Sequence, residues 1–273
     1  MTRLLAKYNS LKSSLGSYTS SGLIVAFSGG VDSGFLLWAS EEARKVHGGK
    51  VVGLTTDSES MPSHDKEDVK RFVKQIGVDH VWRSSSEVDD PNYIQNDSFR
   101  CYYCKTELFT IARDVATETG CRRIAYGYNA SDKGDVRPGH RAAIENDILF
   151  PLAAHDLTKD DIRELMRLNG LELYDKPSSP CLSSRIMRGV KITKRELSDI
   201  DVLEDILRKG GMRIFRLRVH ELDDKHFLRL ETIPDEMMLA LQLKDKLTAE
   251  AKRRGYKWIT LDLNGYKTGG GTI

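Results

Sequence analysis

The sequence predicts an α/β fold: a doubly wound parallel sheet over residues 1–185, then a small α+β domain over 186–273. Three observations predict it. Short apolar runs alternate with helical stretches through the first part of the chain. The first of these runs opens into a Gly-rich turn and then a helix. After about residue 185 the pattern changes to segments that alternate like antiparallel strands.

Taken in order, residues 3–16 read as an amphipathic helix with Leu4, Leu5, Tyr8, Leu11 and Leu15 on one side. Leu23-Ile24-Val25-Ala26-Phe27 is wholly apolar, the pattern of a strand buried on both faces of a parallel sheet. A helix follows from about Asp32 to Lys45, a strand at Val51–Leu54, a helix from Ser63 to Ile76 and a strand at His80–Trp82. Cys104 to Thr119 reads as a helix ended by Gly120, and Arg123–Tyr126 as the next strand. In the second part, Thr193-Lys194-Arg195-Glu196 is a capping box for a helix that stops at Gly210-Gly211. Ile214–His220 and Phe227–Glu231 follow as strands, Pro234 to about Arg254 as a helix, and Trp258–Leu261 as a last strand. With Arg188–Ile192 as a first strand, the expected order is β-α-β-β-α-β.

Bulk composition narrows the function classes. The 273 residues hold 42 basic and 40 acidic side chains, a net charge of +2, with 40% hydrophobic residues. This suits a soluble globular protein and does not suggest a dedicated nucleic-acid binder, which carries a basic face. No apolar run approaches the ~20 residues of a membrane span, and the start, Met1-Thr2-Arg3-Leu4, lacks the apolar core of a signal peptide. The expectation is therefore cytoplasmic, with no membrane or nucleic-acid partner.

The strongest chemical signal is Ser28-Gly29-Gly30-Val31-Asp32-Ser33, set between a buried strand and a helix. Two glycines let backbone N–H groups approach a phosphate chain, and the helix N-terminus adds its positive dipole end. Ser28 and Ser33 can donate to phosphate oxygens, and Asp32 can hold a Mg²⁺ that bridges phosphates. Tyr126-Gly127-Tyr128-Asn129 ends a later strand and reads as a second loop on the nucleotide side, with Gly127 in it. The four cysteines are Cys101, Cys104, Cys121 and Cys181. A Cys-x-x-Cys pair in such a chain points to metal binding or redox chemistry. Cys101 and Cys104 sit at the mouth of a helix, where thiolates are favoured. Cys181 lies in a Pro/Ser-rich loop, and Cys121 reads as a buried bystander. Three thiolates at one centre would be one short of a closed Cys₄ site for zinc or Fe–S, leaving a coordination position open.

The segment Ala26-Phe27-Ser28-Gly29-Gly30-Val31-Asp32-Ser33 resembles the pyrophosphate (PP) loop of the N-type ATP pyrophosphatases, and it is not a Walker loop, since the Gly-Lys-Ser/Thr ending is absent. The resemblance implies ATP cleavage between the α- and β-phosphates. Along nearly its full length, the chain is similar to the LarE family of sulfurtransferases. Pro180-Cys181-Leu182-Ser183-Ser184-Arg185, Phe215-Arg216-Leu217-Arg218-Val219-His220 and the ending Tyr256–Tyr266 carry that likeness. It implies adenylation of pyridinium-3,5-biscarboxylic acid mononucleotide and conversion of its carboxylate to a thiocarboxylate, in nickel-pincer nucleotide biosynthesis. Family members use either a sacrificial cysteine or a [4Fe-4S] cluster on three cysteines. The set Cys101, Cys104 and Cys181 favours the cluster. ATP and Mg²⁺ are the other cofactors implied, sulfide or a sulfur-donor protein the partner, and a homo-oligomer, a hexamer, the assembly.

Arg216 and Arg218 alternate along a strand and suit a nucleotide phosphate; Ser184 and Arg185 are candidates for the substrate carboxylate or phosphate. Glu204 could face Arg216 and Arg218, and Tyr102 and Tyr103 could stack on a ring. Three other readings stand beside this one. A tRNA thiolation enzyme would need a basic RNA surface. An ammonia-using synthetase would not need the cysteines. A non-catalytic adenine-nucleotide sensor would use them for structural zinc.

Overall fold

A computed structural model describes residues 2–134, 138–223 and 225–267. In chain order the elements are α1 (Thr2–Ser20), β1 (Leu23–Ala26), α2 (Val31–His47), β2 (Val51–Asp57), α3 (Ser63–Ile76), β3 (Asp79–Ser84), α4 (Pro91–Ile94), α5 (Arg100–Thr119) and β4 (Arg123–Tyr126). Then come α6 (Pro138–Glu145), α7 (Pro151–Ala154), α8 (Lys159–Leu168), α9 (Lys194–Lys209), β5 (Phe215–Leu222), β6 (Lys225–Thr232), α10 (Met237–Gln242), α11 (Lys244–Arg253) and β7 (Ile259–Leu261). The chain divides into two compact units. One comprises Met1–Ser58, Ser63–Ser85 and Cys101–Ser178; the other comprises Glu59–Pro62, Ser86–Arg100 and Ser179–Ile273.

The first unit is built on four parallel strands in the order β3-β2-β1-β4. Parallel neighbours need crossovers, and helices supply them. β1 is buried at every position because it is a central strand covered on both faces. Ile24, Val52 and Leu54 point to the face covered by Ala112, Val115 and Ala116 of α5. The opposite face meets α2, where a Cβ at Gly53 would stand 3.0 Å from His80 Cδ2 and 3.1 Å from Leu37 Cδ2, a tight fit. Leu23, Ile24 and Val25 are fully buried, each contributing about 1.5–3 kcal/mol of hydrophobic stabilisation. Tyr8 of α1 stacks on Trp38 of α2 with ring centroids 5.8 Å apart, which docks the first helix. Cys121 lies in the same core cluster as Ile24 and Val52.

In the second unit, β5 and β6 pair antiparallel and β6 pairs parallel with β7. The helix after Thr193 forms as expected, its cap side chain accepting from the Glu196 N–H at 3.2 Å. Two expectations fail here. Arg188–Ile192 is not a strand: pairing is limited to a bridge between Ile186 and Val219, and the Val190 N–H turns back to Met187 O at 3.0 Å. The Asn96 side chain lies against this segment, its Nδ2 within bonding distance of the carbonyls of Ile186, Met187 and Val190, and the Ile192 N–H bonds Ile94 O at 2.9 Å. The long helix expected after Pro234 is broken into α10 and α11 at Leu243, whose side chain lies against Gly210. Among the described residues, no helix is long and apolar enough to cross a membrane.

Candidate functional site

In the first unit, β1 is flanked by β2 on one side and β4 on the other, so the strand order reverses between β1 and β4. Ligands of open α/β sheets bind at the carboxyl ends of strands at such a point. Both loops marked in the sequence lie there. Phe27 ends the strand, its N–H bonded to Leu54 O at 2.8 Å and its carbonyl accepting from Thr55 Oγ1 at 2.7 Å. Gly29 then turns through φ +75°, and Gly30 is the N-cap of α2 with no side-chain cap bond. The first helical bond runs from Gly34 N–H to Gly30 O at 2.9 Å, so the N–H groups of Val31, Asp32 and Ser33 have no intrahelical acceptor. Ser28 Oγ and Ser33 Oγ lie 3.1 Å apart, and Ser33 Oγ also accepts from the Ser28 N–H at 3.3 Å. The loop is thus a small nest of donors at the positive end of a helix.

The β4 loop closes the other side. Gly127 presses directly on the α2 backbone: a Cβ there would stand 2.6 Å from Ser33 N. Asn129 is buried and caps the turn Ala130–Asp132 through its side chain. Asp32 sits in the first turn of α2 with Oδ1 buried and unbonded among the described residues. Burial pushes its carboxyl pKa up; Lys159, 4.0 Å away, opposes the shift and Asp132 adds to it. An orphaned carboxylate oxygen beside a second acidic group fits a divalent cation.

Several side chains that hold this site were not marked in the sequence. Lys176 Nζ donates to Gly29 O at 2.8 Å and pairs with Asp65 and Asp68 at 2.7 and 2.5 Å. Asp65 and Asp68 are three residues apart on a helix, a spacing that puts both on one face and was available in the sequence. Lys176 comes from an irregular stretch and gave no periodic signal.

Cys101 and Cys104 also belong to the first unit, in the first two turns of α5, which starts at Arg100 rather than at Cys104. Cys101 is exposed and Cys104 half-buried. Tyr102 is engaged outward, its hydroxyl donating to Glu145 at 2.6 Å, and its ring lies edge-on to that of Tyr103. Cys181, half-buried, belongs to the second unit. Among the described residues, no group of three or more His, Cys, Asp or Glu is gathered to hold a metal ion.

The second unit brings Ser184, Arg185, Arg216 and Arg218 together around the Cys181 loop. Arg185 is 1% exposed and makes a two-pronged pair with Glu204 at 3.0 and 2.9 Å. Its remaining nitrogen donates to the carbonyls of Pro180 and Cys181 and to Ser184 Oγ. Burial would raise the Glu204 pKa, but Arg185 and the Leu217 N–H hold it below the usual carboxylate range. Glu204 therefore pairs with Arg185, with Arg216 acting on it only as a nearby charge. Arg218 is held by Glu231 and donates to Ser184 O at 2.7 Å. The Arg216 guanidinium lies over the Tyr266 ring at 5.1 Å; burial, then Arg185, lowers its pKa. The loop is tied further by Tyr93, 2.6 Å from Ser183 Oγ, and by Arg100, which donates to Ser183 O at 2.9 Å.

No family model matches the chain. It is 34% identical to Uncharacterized protein slr1717 of Synechocystis sp., over 90% of both chains. It is 26% identical to the pyridinium-3,5-bisthiocarboxylic acid mononucleotide synthase of Lactiplantibacillus plantarum, covering 90% of this chain and 87% of that one. It is also 26% identical to Uncharacterized protein MJ0830 of Methanocaldococcus jannaschii, over 98% of both.

Proposed function

Because this chain belongs to one family with slr1717 of Synechocystis and is similar over nine-tenths of its length to the Lactiplantibacillus synthase, we propose that it is an ATP-dependent sulfurtransferase of the LarE type. The observation that carries the reading is the donor nest at the carboxyl end of β1, closed by Gly127 and flanked by the unbonded oxygen of Asp32.

In this reading a carboxylate oxygen of pyridinium-3,5-biscarboxylic acid mononucleotide attacks the α-phosphorus of ATP, and the bond to the β-phosphate oxygen breaks. The N–H groups of Val31, Asp32 and Ser33, with the hydroxyls of Ser28 and Ser33, take the departing pyrophosphate. Asp32 holds Mg²⁺, which supplies charge neutralisation on the phosphates. A sulfur nucleophile then attacks the acyl carbon, AMP leaves with the bridging oxygen, and a thiocarboxylate remains. Arg216 and Arg218 are the proposed phosphate ligands for the substrate. Arg185 is committed to Glu204 and to the Cys181 loop, so its proposed role is to hold that loop.

Cys101, Cys104 and Cys181 are the proposed sulfur-handling residues. Their thiolates have the donor chemistry of a [4Fe-4S] cluster with one open iron. Cys101 and Cys104 belong to one unit and Cys181 to the other, and the steps above are written without that cluster. The homo-oligomer and the sulfide or sulfur-donor partner are proposed on the same family likeness.

The test is to purify the protein without oxygen, then add ATP, Mg²⁺, sulfide and the biscarboxylate mononucleotide. Pyrophosphate release that depends on the mononucleotide, with a thiocarboxylate product seen by mass spectrometry, is expected. ATP binding without pyrophosphate release would sink the reading. Iron and acid-labile sulfide of about four each per chain, lost in Cys181→Ala, would identify the cluster route. Mass loss at Cys181 after turnover would identify the sacrificial one.

A further inference from the structure

Lys176 is the side chain whose placement the phosphate-loop reading does not use. Its side chain is 10% exposed, and its Nζ has three oxygen partners: Gly29 O, Asp65 Oδ1 and Asp68 Oδ2. Its backbone is fixed in turn. Arg163 of α8 donates to Tyr174 O at 2.5 Å and to Lys176 O at 2.6 Å. The loop meets α3 closely as well: a Cβ on Gly29 would stand 3.1 Å from Asp65 O. We infer that Lys176 is a positioning residue, which holds the Gly29 carbonyl turned toward α3 so that the loop N–H groups face an anion, and which neutralises Asp65 and Asp68 beside it.

Two physical arguments support this. A peptide whose carbonyl is held on one side presents the following N–H on the other. Gly29 supplies the φ of +75° that the turn needs, and the ammonium holds the peptide plane that follows it. Asp65 and Asp68 are also largely shielded from water, with side chains 4% and 15% exposed. Without Lys176 they would present two carboxylates behind a loop meant for phosphate, and like charges in a poorly screened place repel strongly.

The inference about anion affinity rests on the function proposed above; the inference about loop position does not, and one experiment separates them. Hydrogen exchange is followed by mass spectrometry on the peptide covering residues 28–33, without nucleotide, in the wild type, Lys176→Met and Lys176→Arg. Binding of ATP and of inorganic pyrophosphate is measured by calorimetry on the same three. Lys176→Met should exchange about tenfold faster in that peptide and bind both anions about tenfold more weakly, a typical cost for a lost charge-assisted hydrogen bond. Lys176→Arg, which can reach the same oxygens, should recover most of both effects. Unchanged exchange and affinity in Lys176→Met, or no rescue by Arg, overturns the inference. A wild type that binds neither anion overturns the proposed function, while the exchange data still decide the loop. If Lys176→Met does not fold, Asp68→Asn decides. It removes one negative charge and keeps the Gly29 contact, so it should tighten pyrophosphate about two- to threefold. Weaker binding there counts against the inference.

Discussion

Gly127 and Ser33 touch through their backbones: a methyl group on Gly127 would lie 2.6 Å from the Ser33 nitrogen and 2.9 Å from the Asp32 carbonyl carbon. The loop after β4 and the first turn of α2 therefore form one surface, and only a residue without a side chain lets them meet.

Gly127→Ala should force these loops apart. Overpacking of this kind costs about 1–3 kcal/mol, and neither clashing atom is a flexible side-chain end that could swing away. The expected result is a lower melting temperature and a loss of pyrophosphate affinity of about tenfold or more, since the displaced N–H groups are the proposed ligands. Calorimetry and a thermal melt check both. Wild-type affinity in the alanine variant would show that the close approach does not shape the site.

Asp32 pairs a functional gain with a stability cost. Burial raises its folded pKa, so the stability of its neutral form is complete below the unfolded carboxylate value and is lost as pH rises through the raised value. Above that raised value the carboxylate is charged in a poor environment. Asp32→Asn should therefore melt higher than the wild type at pH 7 without divalent ions, and lose that advantage at pH 3 or in Mg²⁺. The same variant should release no pyrophosphate. A variant less stable than wild type at pH 7 in a chelator would refute the account.

The parallel sheet was readable because wholly apolar runs bounded by turns leave few alternatives for Leu23–Ala26 or Val51–Leu54. The Gly-rich turn was readable because its glycines and serines act locally, where the sequence is contiguous. Lys176 was not readable: its partners lie 147 and 111 residues away, at Gly29 and Asp65, and its own stretch has no period. Arg188–Ile192 misled because its backbone groups are met by distant residues rather than by a strand: Asn96 Nδ2 donates to Val190 O, and the Ile192 N–H bonds Ile94 O, each at 2.9 Å. Arg185 reads from the sequence as a candidate for the substrate carboxylate or phosphate. Its commitment to Glu204, 19 residues on, depends on how α9 lies against the loop.

That buried pair carries a stability prediction of its own. Removing one partner from a fully buried, two-pronged pair costs about 3–5 kcal/mol, because the other charge is left without compensation. Glu204→Leu and Arg185→Met should each fall in that range, while the two together should recover a large part. Glu204 is held below its ordinary pKa, so its contribution is present above the unfolded carboxylate value and is lost as pH falls through the folded one. Urea unfolding of the single and double variants at pH 7 and pH 4 tests both statements. Additive losses in the double variant would mean the two side chains do not act as a pair.

His80 links acidity to the strand that leads into the loop. Burial lowers its pKa from 6.5 to about 4. Its Nε2 lies 2.9 Å from Thr55 Oγ1, whose hydrogen goes to Phe27 O, one residue before Ser28. The hydroxyl has one proton to give, so His80 Nε2–H is the donor to Thr55, and the lowered pKa leaves the folded ring neutral at pH 7. Between pH 6.5 and 4 the unfolded chain binds a proton that the folded chain refuses, so stability falls as pH falls through that window. The loss should reach about 1–3 kcal/mol, allowing for partial solvent screening. His80→Gln can keep the bond to Thr55 but cannot titrate, so its unfolding free energy should lose that part of the slope while staying near wild type above pH 7. Parallel slopes for the two proteins from pH 7 to pH 4 would place the acid sensitivity elsewhere in the molecule.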